Sequence, residues 1–148
     1  MRRFRSIFAL SLALLLLLAS CQHPGLSSQE LETLKSQYQK TAQAADSAGL
    51  DQGLLEAASD SELIGLFRQS PRMRQGEPVL TSLSFSEYLK WLEKKDPVWR
   101  TIMERPSAKR RFREEAQKMQ EAKFEDGSAD FYYSLFCSSY IKEVLGQR

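Results

Sequence analysis

Histidine is almost absent from these 148 residues: His23 is the single one, and it belongs to no recognisable metal-ligand set. Without a further histidine, a Ser or Cys nucleophile lacks its usual base. Cysteine is nearly as scarce, at two residues, Cys21 and Cys137, which excludes a disulfide framework. The chain carries no P-loop, dinucleotide-binding glycine pattern, calcium loop or zinc spacing, so no catalytic residue, cofactor or metal is assigned to it. No apolar run reaches the roughly 17–25 residues that a membrane-spanning helix needs. An excess of one charge is missing too, because 21 Lys plus Arg stand against 19 Asp plus Glu. That balance offers no general attraction to nucleic acid. There is also no internal repeat and no heptad array, and Val79-Leu80 has no second strand-like run to pair with.

What is present begins at the N-terminus. Arg2, Arg3 and Arg5 precede an apolar run from Ile7 to Ala19 whose only polar member is Ser11. The run closes on Leu18-Ala19-Ser20-Cys21, so basic residues, apolar stretch and small residues follow in signal-peptide order. This stretch resembles the lipobox of bacterial lipoproteins. The resemblance implies cleavage between Ser20 and Cys21, a diacylglyceryl thioether on the Cys21 sulfur, and often a third chain on its amine. Two or three acyl chains hold a protein durably, since each buried methylene contributes about 0.8 kcal/mol. Gln22, rather than Asp, follows the cysteine, which in such proteins favours the periplasmic leaflet of the outer membrane.

Cleavage would remove all three N-terminal arginines and no carboxylate, leaving the mature chain at a net charge of about −1. Lipidation would also take Cys21 out of disulfide chemistry. Cys137 then has no intramolecular partner, and its apolar surroundings predict a buried, inert thiol. The expected layout is a signal peptide over 1–20, a lipidated tether over 21–26 and a helical domain over 27–148. Pro24 and Gly25 mark the tether, whose last five residues reach at most about 18 Å.

Helix starts punctuate the rest of the chain. Ser27 with Glu30, Ser59 with Glu62 and Ser84 with Glu87 have capping-box spacing. Asp96-Pro97 reads as an N-cap followed by proline in the first helical position. Ser107 and Ser128 open two further helices, separated by the Asp126-Gly127 stop. Arg72 to Ser82, with Gly76 and Pro78, reads as a loop. Gly65 weakens the interior of its helix by about 1 kcal/mol relative to alanine. The last helix carries Phe131, Tyr132, Tyr133, Phe136, Tyr140 and Ile141 and is apolar nearly all round, so it is expected at the centre of the packing. The fold class is therefore all-α, a single small domain of about five or six short helices behind a cleavable signal helix.

Two groups of side chains are candidates for binding. Lys109, Arg110, Arg111 and Arg113 form a basic cluster suited to an anion, though Arg110 with Glu114 and Arg111 with Glu115 are placed to pair at i,i+4. Trp91 and Trp99 fall partly off the apolar stripes of their helices and, with Tyr132 and Tyr133, either fill the core that a small helical domain needs or line a groove that captures a partner helix or peptide, with at least one of the tryptophans exposed in it. Glu114-Glu115 and Glu125-Asp126 lie among lysines and arginines and are expected as solvated surface groups.

In size, anchor and helical content the chain is similar to pilotins, the small lipoproteins that escort secretin subunits to the outer membrane. That resemblance implies a non-enzymatic envelope adaptor, held to membrane lipid through Cys21 and binding another envelope protein. An accessory lipoprotein of a secretion or conjugation machine fits equally. A peptidoglycan- or lipid-binding module, a small cell-wall hydrolase and a surface-exposed lipoprotein are the other expectations. Neither nucleic acid nor a small-molecule substrate is among the expected partners.

Overall fold

A computed structural model describes residues 23–44 and 49–146. The expected signal peptide, its expected cleavage site and Cys21 lie outside the described residues. Those described form helical segments only: α1 Ser28–Ala44, α2 Gln52–Ala57, α3 Asp60–Arg68, α4 Pro71–Arg74, α5 Glu77–Leu80, α6 Phe85–Lys95, α7 Pro97–Glu104, α8 Pro106–Met119 and α9 Ala129–Leu145. The all-α expectation holds, with more segments than five or six.

The added segments come from prolines. The stretch Arg72 to Ser82, expected as a loop, instead carries most of α4 and all of α5, with Pro71 and Pro78 in their first turns, where proline's fixed φ suits a helix start and its missing N–H costs nothing. Between them the chain turns at Gly76, whose φ of 68° is left-handed. A Cβ there would also meet Tyr132 Cζ at 2.8 Å, so this corner needs glycine twice over.

The predicted caps form except at Ser107, which lies within the first turn of α8 behind Pro106, with Arg105 at the N-cap position and no side-chain cap. Ser59 Oγ accepts from Glu62 N, and Glu62 reaches back to Ser59 N at 2.8 Å. Ser84 and Glu87 repeat the motif, as do Ser27 and Glu30. Each such cap satisfies helix N–H groups that have no partner within the helix, worth about 1 kcal/mol.

The core is aromatic and centred on α9. Phe136 meets Phe67, Phe85, Trp99, Phe112 and Tyr88 at ring-centroid distances from 5.2 to 6.4 Å, mostly edge to face. Leu63, Ile102, Ala116 and Ile141 close the space around them. Ser134 on α9 is buried too, with its hydroxyl donating to Phe131 O at 2.7 Å. Cys137 is buried and free, as its apolar segment predicts.

Two arginines tie separate corners of the bundle. Arg105, between α7 and α8, donates to the carbonyls of Ala58 and Glu56 and to Asp60 Oδ1, clamping the α2–α3 junction. Arg72, on α4, performs the second tie at the site described next.

Candidate partner-binding groove

Helix α1 lies along the domain without closing onto α3. Its buried stripe is short, Leu34, Tyr38 and Thr41, and packs toward α2 and α4. A groove of about 290 Å³ remains between α1 and α3. Leu31 and Leu66 form apolar walls, Gly65 opens one side, and Tyr38 and Ser70 lie at its base. A Cβ on Gly65 would meet nothing within 4 Å, so the missing side chain leaves real space. Glu32, Lys35 and Glu62 supply charge of both signs along the lining.

The base of the groove is anchored by a buried polar hub. Tyr38 Oη donates to Asp96 Oδ2 at 2.6 Å, and Arg72 Nε donates to the same oxygen at 2.9 Å. The other Asp96 oxygen caps α7 by accepting from Trp99 N at 2.9 Å. Arg72 also forks onto Glu77 at 3.0 and 3.1 Å and lies 4.7 Å above the Trp91 ring. Asp96 is wholly buried and Arg72 is 4 % exposed, so neither charge is solvated by bulk water.

Burial works against the Arg72 cation, but the Asp96 and Glu77 carboxylates outweigh it and raise its pKa above the usual arginine value. For Tyr38, burial foremost and then the Asp96 charge hold the phenol protonated well above the ordinary tyrosine range. Ser70 Oγ is buried beside this hub and has no partner at hydrogen-bonding geometry. The site therefore presents an apolar trough over a buried polar base that includes the unpartnered Ser70 hydroxyl.

The four aromatic candidates do not line this groove. Trp99, 1 % exposed, and Tyr133, fully buried, are core residues. A small helical domain needs such bulk to fill its centre, and the core-filling alternative holds for these two. Trp91 is half-buried, stacked 6.0 Å from Tyr88 and covered by Arg72. Tyr132 is half-buried against Gly76 and Phe131.

The basic cluster is also divided. Arg110 and Arg111 line a depression on one side of α8, while Lys109 lines another on the opposite side. Arg113 turns toward Tyr140. The expected pairing with Glu114 and Glu115 does not occur. Glu115 is taken by Arg68 at 3.3 Å, and Arg68 also holds Asp130 at 2.7 Å.

The tether is docked rather than free where it is described. His23 Nδ1 lies 2.7 Å from Glu56 O, Gly25 N donates to Ala57 O, and Leu26 N donates to the Glu62 carboxylate at 3.1 Å. Glu62 thus serves the α3 cap and the N-terminal segment together, a double use that its capping-box spacing alone does not reveal.

Among the described residues no group of three or more His, Cys, Asp or Glu is placed to hold a metal ion, and no helix is long and apolar enough to cross a membrane. No family model, curated protein or solved structure matches this chain. The class the fold defines is a small all-helical domain with a surface groove.

Proposed function

We propose that the chain is an envelope lipoprotein, acylated at Cys21 and held at the periplasmic face of the outer membrane, whose domain is a non-enzymatic adaptor for another envelope protein. The observation that carries the adaptor reading is the trough between α1 and α3, with apolar walls at Leu31 and Leu66 and the open position at Gly65. A partner helix or extended peptide places apolar side chains in such a trough and its polar groups on the rim. The lipobox Leu18-Ala19-Ser20-Cys21 carries the anchoring half of the reading.

The test is a photoreactive residue at Gln39, on the groove lining, in cells expressing the full chain. Irradiation is expected to trap one discrete envelope protein, and Gly65→Leu, which fills the trough, is expected to abolish the adduct while the domain keeps its helical circular dichroism. Adducts with only lipid or wall fragments, or an adduct indifferent to Gly65→Leu, refute the adaptor reading. Mass spectrometry of Cys21 tests acylation separately.

A further inference from the structure

The docked N-terminal segment determines which face of the domain meets the bilayer. His23 is held at the carbonyl of Glu56 and lies two positions after Cys21, at most about 7 Å of extended chain. From Glu56 the contacts run on without a break. Its carbonyl also accepts from Arg105 at 3.2 Å, and Arg105 pairs with Asp60 at 3.1 Å. Asp60 lines the depression that holds Ser107, Arg110, Arg111 and Lys118, of about 460 Å³. Arg110 lies only about 7.5 Å further along the helix axis than Arg105. The anchor exit and this depression are therefore neighbours on one face.

The charges in the depression are unequal in their freedom. Asp60 is already engaged by Arg105, and Glu115 by Arg68. Of the carboxylates lining it, Glu114 is left to oppose Arg110, Arg111 and Lys118, and none of those three cations has a carboxylate within 4.0 Å among the described residues. Arg110 and Arg111 are both exposed. Two guanidinium forks beside a serine hydroxyl match the donors that a phosphate oxygen cluster requires.

We infer that Arg110 and Arg111, with Ser107 and Lys118, bind the phosphate headgroup of an anionic phospholipid and seat the domain on the bilayer by this face. The inference rests on the proposed acylation of Cys21, which brings the face to the membrane. Acyl chains give attachment without orientation; the headgroup contact adds orientation, and it directs the α1–α3 groove to a constant position relative to the surface.

The experiment uses the full acylated chain in vesicles of phosphatidylcholine, alone or with added phosphatidylglycerol. Because the acyl chains dominate vesicle affinity, the readout is the phenylglyoxal modification rate of each arginine, followed by mass spectrometry. Arg110 and Arg111 are expected to slow about fivefold in the anionic vesicles, the factor one surface arginine contributes at such a membrane. Arg74, exposed on α4, is the internal reference and keeps its rate. Equal rates for Arg110 and Arg111 in both vesicles overturn the inference. Equal slowing by inorganic phosphate in phosphatidylcholine vesicles also overturns it, by assigning the site to free phosphate. The same spectra report on Cys21: an acylated but unprotected chain removes this inference alone, whereas an unacylated chain removes the anchoring reading with it.

Discussion

Replacing Asp96 by asparagine isolates the hub beneath the groove. The change keeps the volume and leaves one oxygen to cap α7 at Trp99 N, so the N-cap survives. It removes the negative charge from a site with no solvent exposure and presents amide hydrogens to Arg72 Nε and Tyr38 Oη, both of which are donors to Asp96. Breaking a buried ion pair from one side costs about 3–5 kcal/mol, because the remaining charge stays buried without its partner. Glu77, still bonded to Arg72, places the expected cost near the lower end, about 3 kcal/mol. Tyr38→Phe leaves the ring in place and loses one hydrogen bond to a charged acceptor, about 1.5–3 kcal/mol. The two share an oxygen, so the double variant should fall short of the sum by about 1 kcal/mol. Urea unfolding monitored by the fluorescence of buried Trp99 measures all three. If Asp96→Asn costs less than Tyr38→Phe, or the pair is additive, the hub does not hold the domain as described.

Two further outcomes are expected. Gly65→Ala adds a methyl group into open space within α3 and should stabilise the domain by about 0.5–1 kcal/mol, raising its melting temperature; a lower melting temperature would mean the position is strained. On the alkaline side, burial pushes the Cys137 thiol up to about 12 and raises the phenols of Tyr38, Tyr88, Tyr133 and Tyr140. The unfolded chain then releases protons that the folded one keeps. Stability is full below the free thiol and phenol values, about 8.5 and 10, and is lost as pH rises through the folded values. A urea midpoint that stays constant from neutral pH to beyond the free phenol value would refute this.

Gly65 illustrates how a sequence feature can be seen and misjudged. Its position inside α3 is plain from the sequence, and so is its cost to the helix. That the gap it leaves faces α1 and becomes a groove depends on α1 lying alongside without closing, which no local pattern encodes. Arg111 and Glu115 show the opposite error: their i,i+4 spacing allows a pair, but Arg68 from α3 claims the carboxylate. Trp99 shows a third, since helical periodicity assigns a face only when a helix packs on one side. In a small bundle α7 and α9 are surrounded, and even side chains off the stripe become core.

By itself the sequence determined the all-α class, the starts of most helices and the burial of Cys137. These are short-range properties: a capping serine and its glutamate are three residues apart, and an apolar segment carries its thiol inward with it. The tertiary structure alone decided the hub, the groove and the docking of the N-terminal segment. Tyr38 and Asp96 are 58 positions apart, Arg105 and Ala58 are 47, and Leu26 and Glu62 are 36. Contacts at that range follow from how the helices fill a common core, so they exist only once the whole domain has packed.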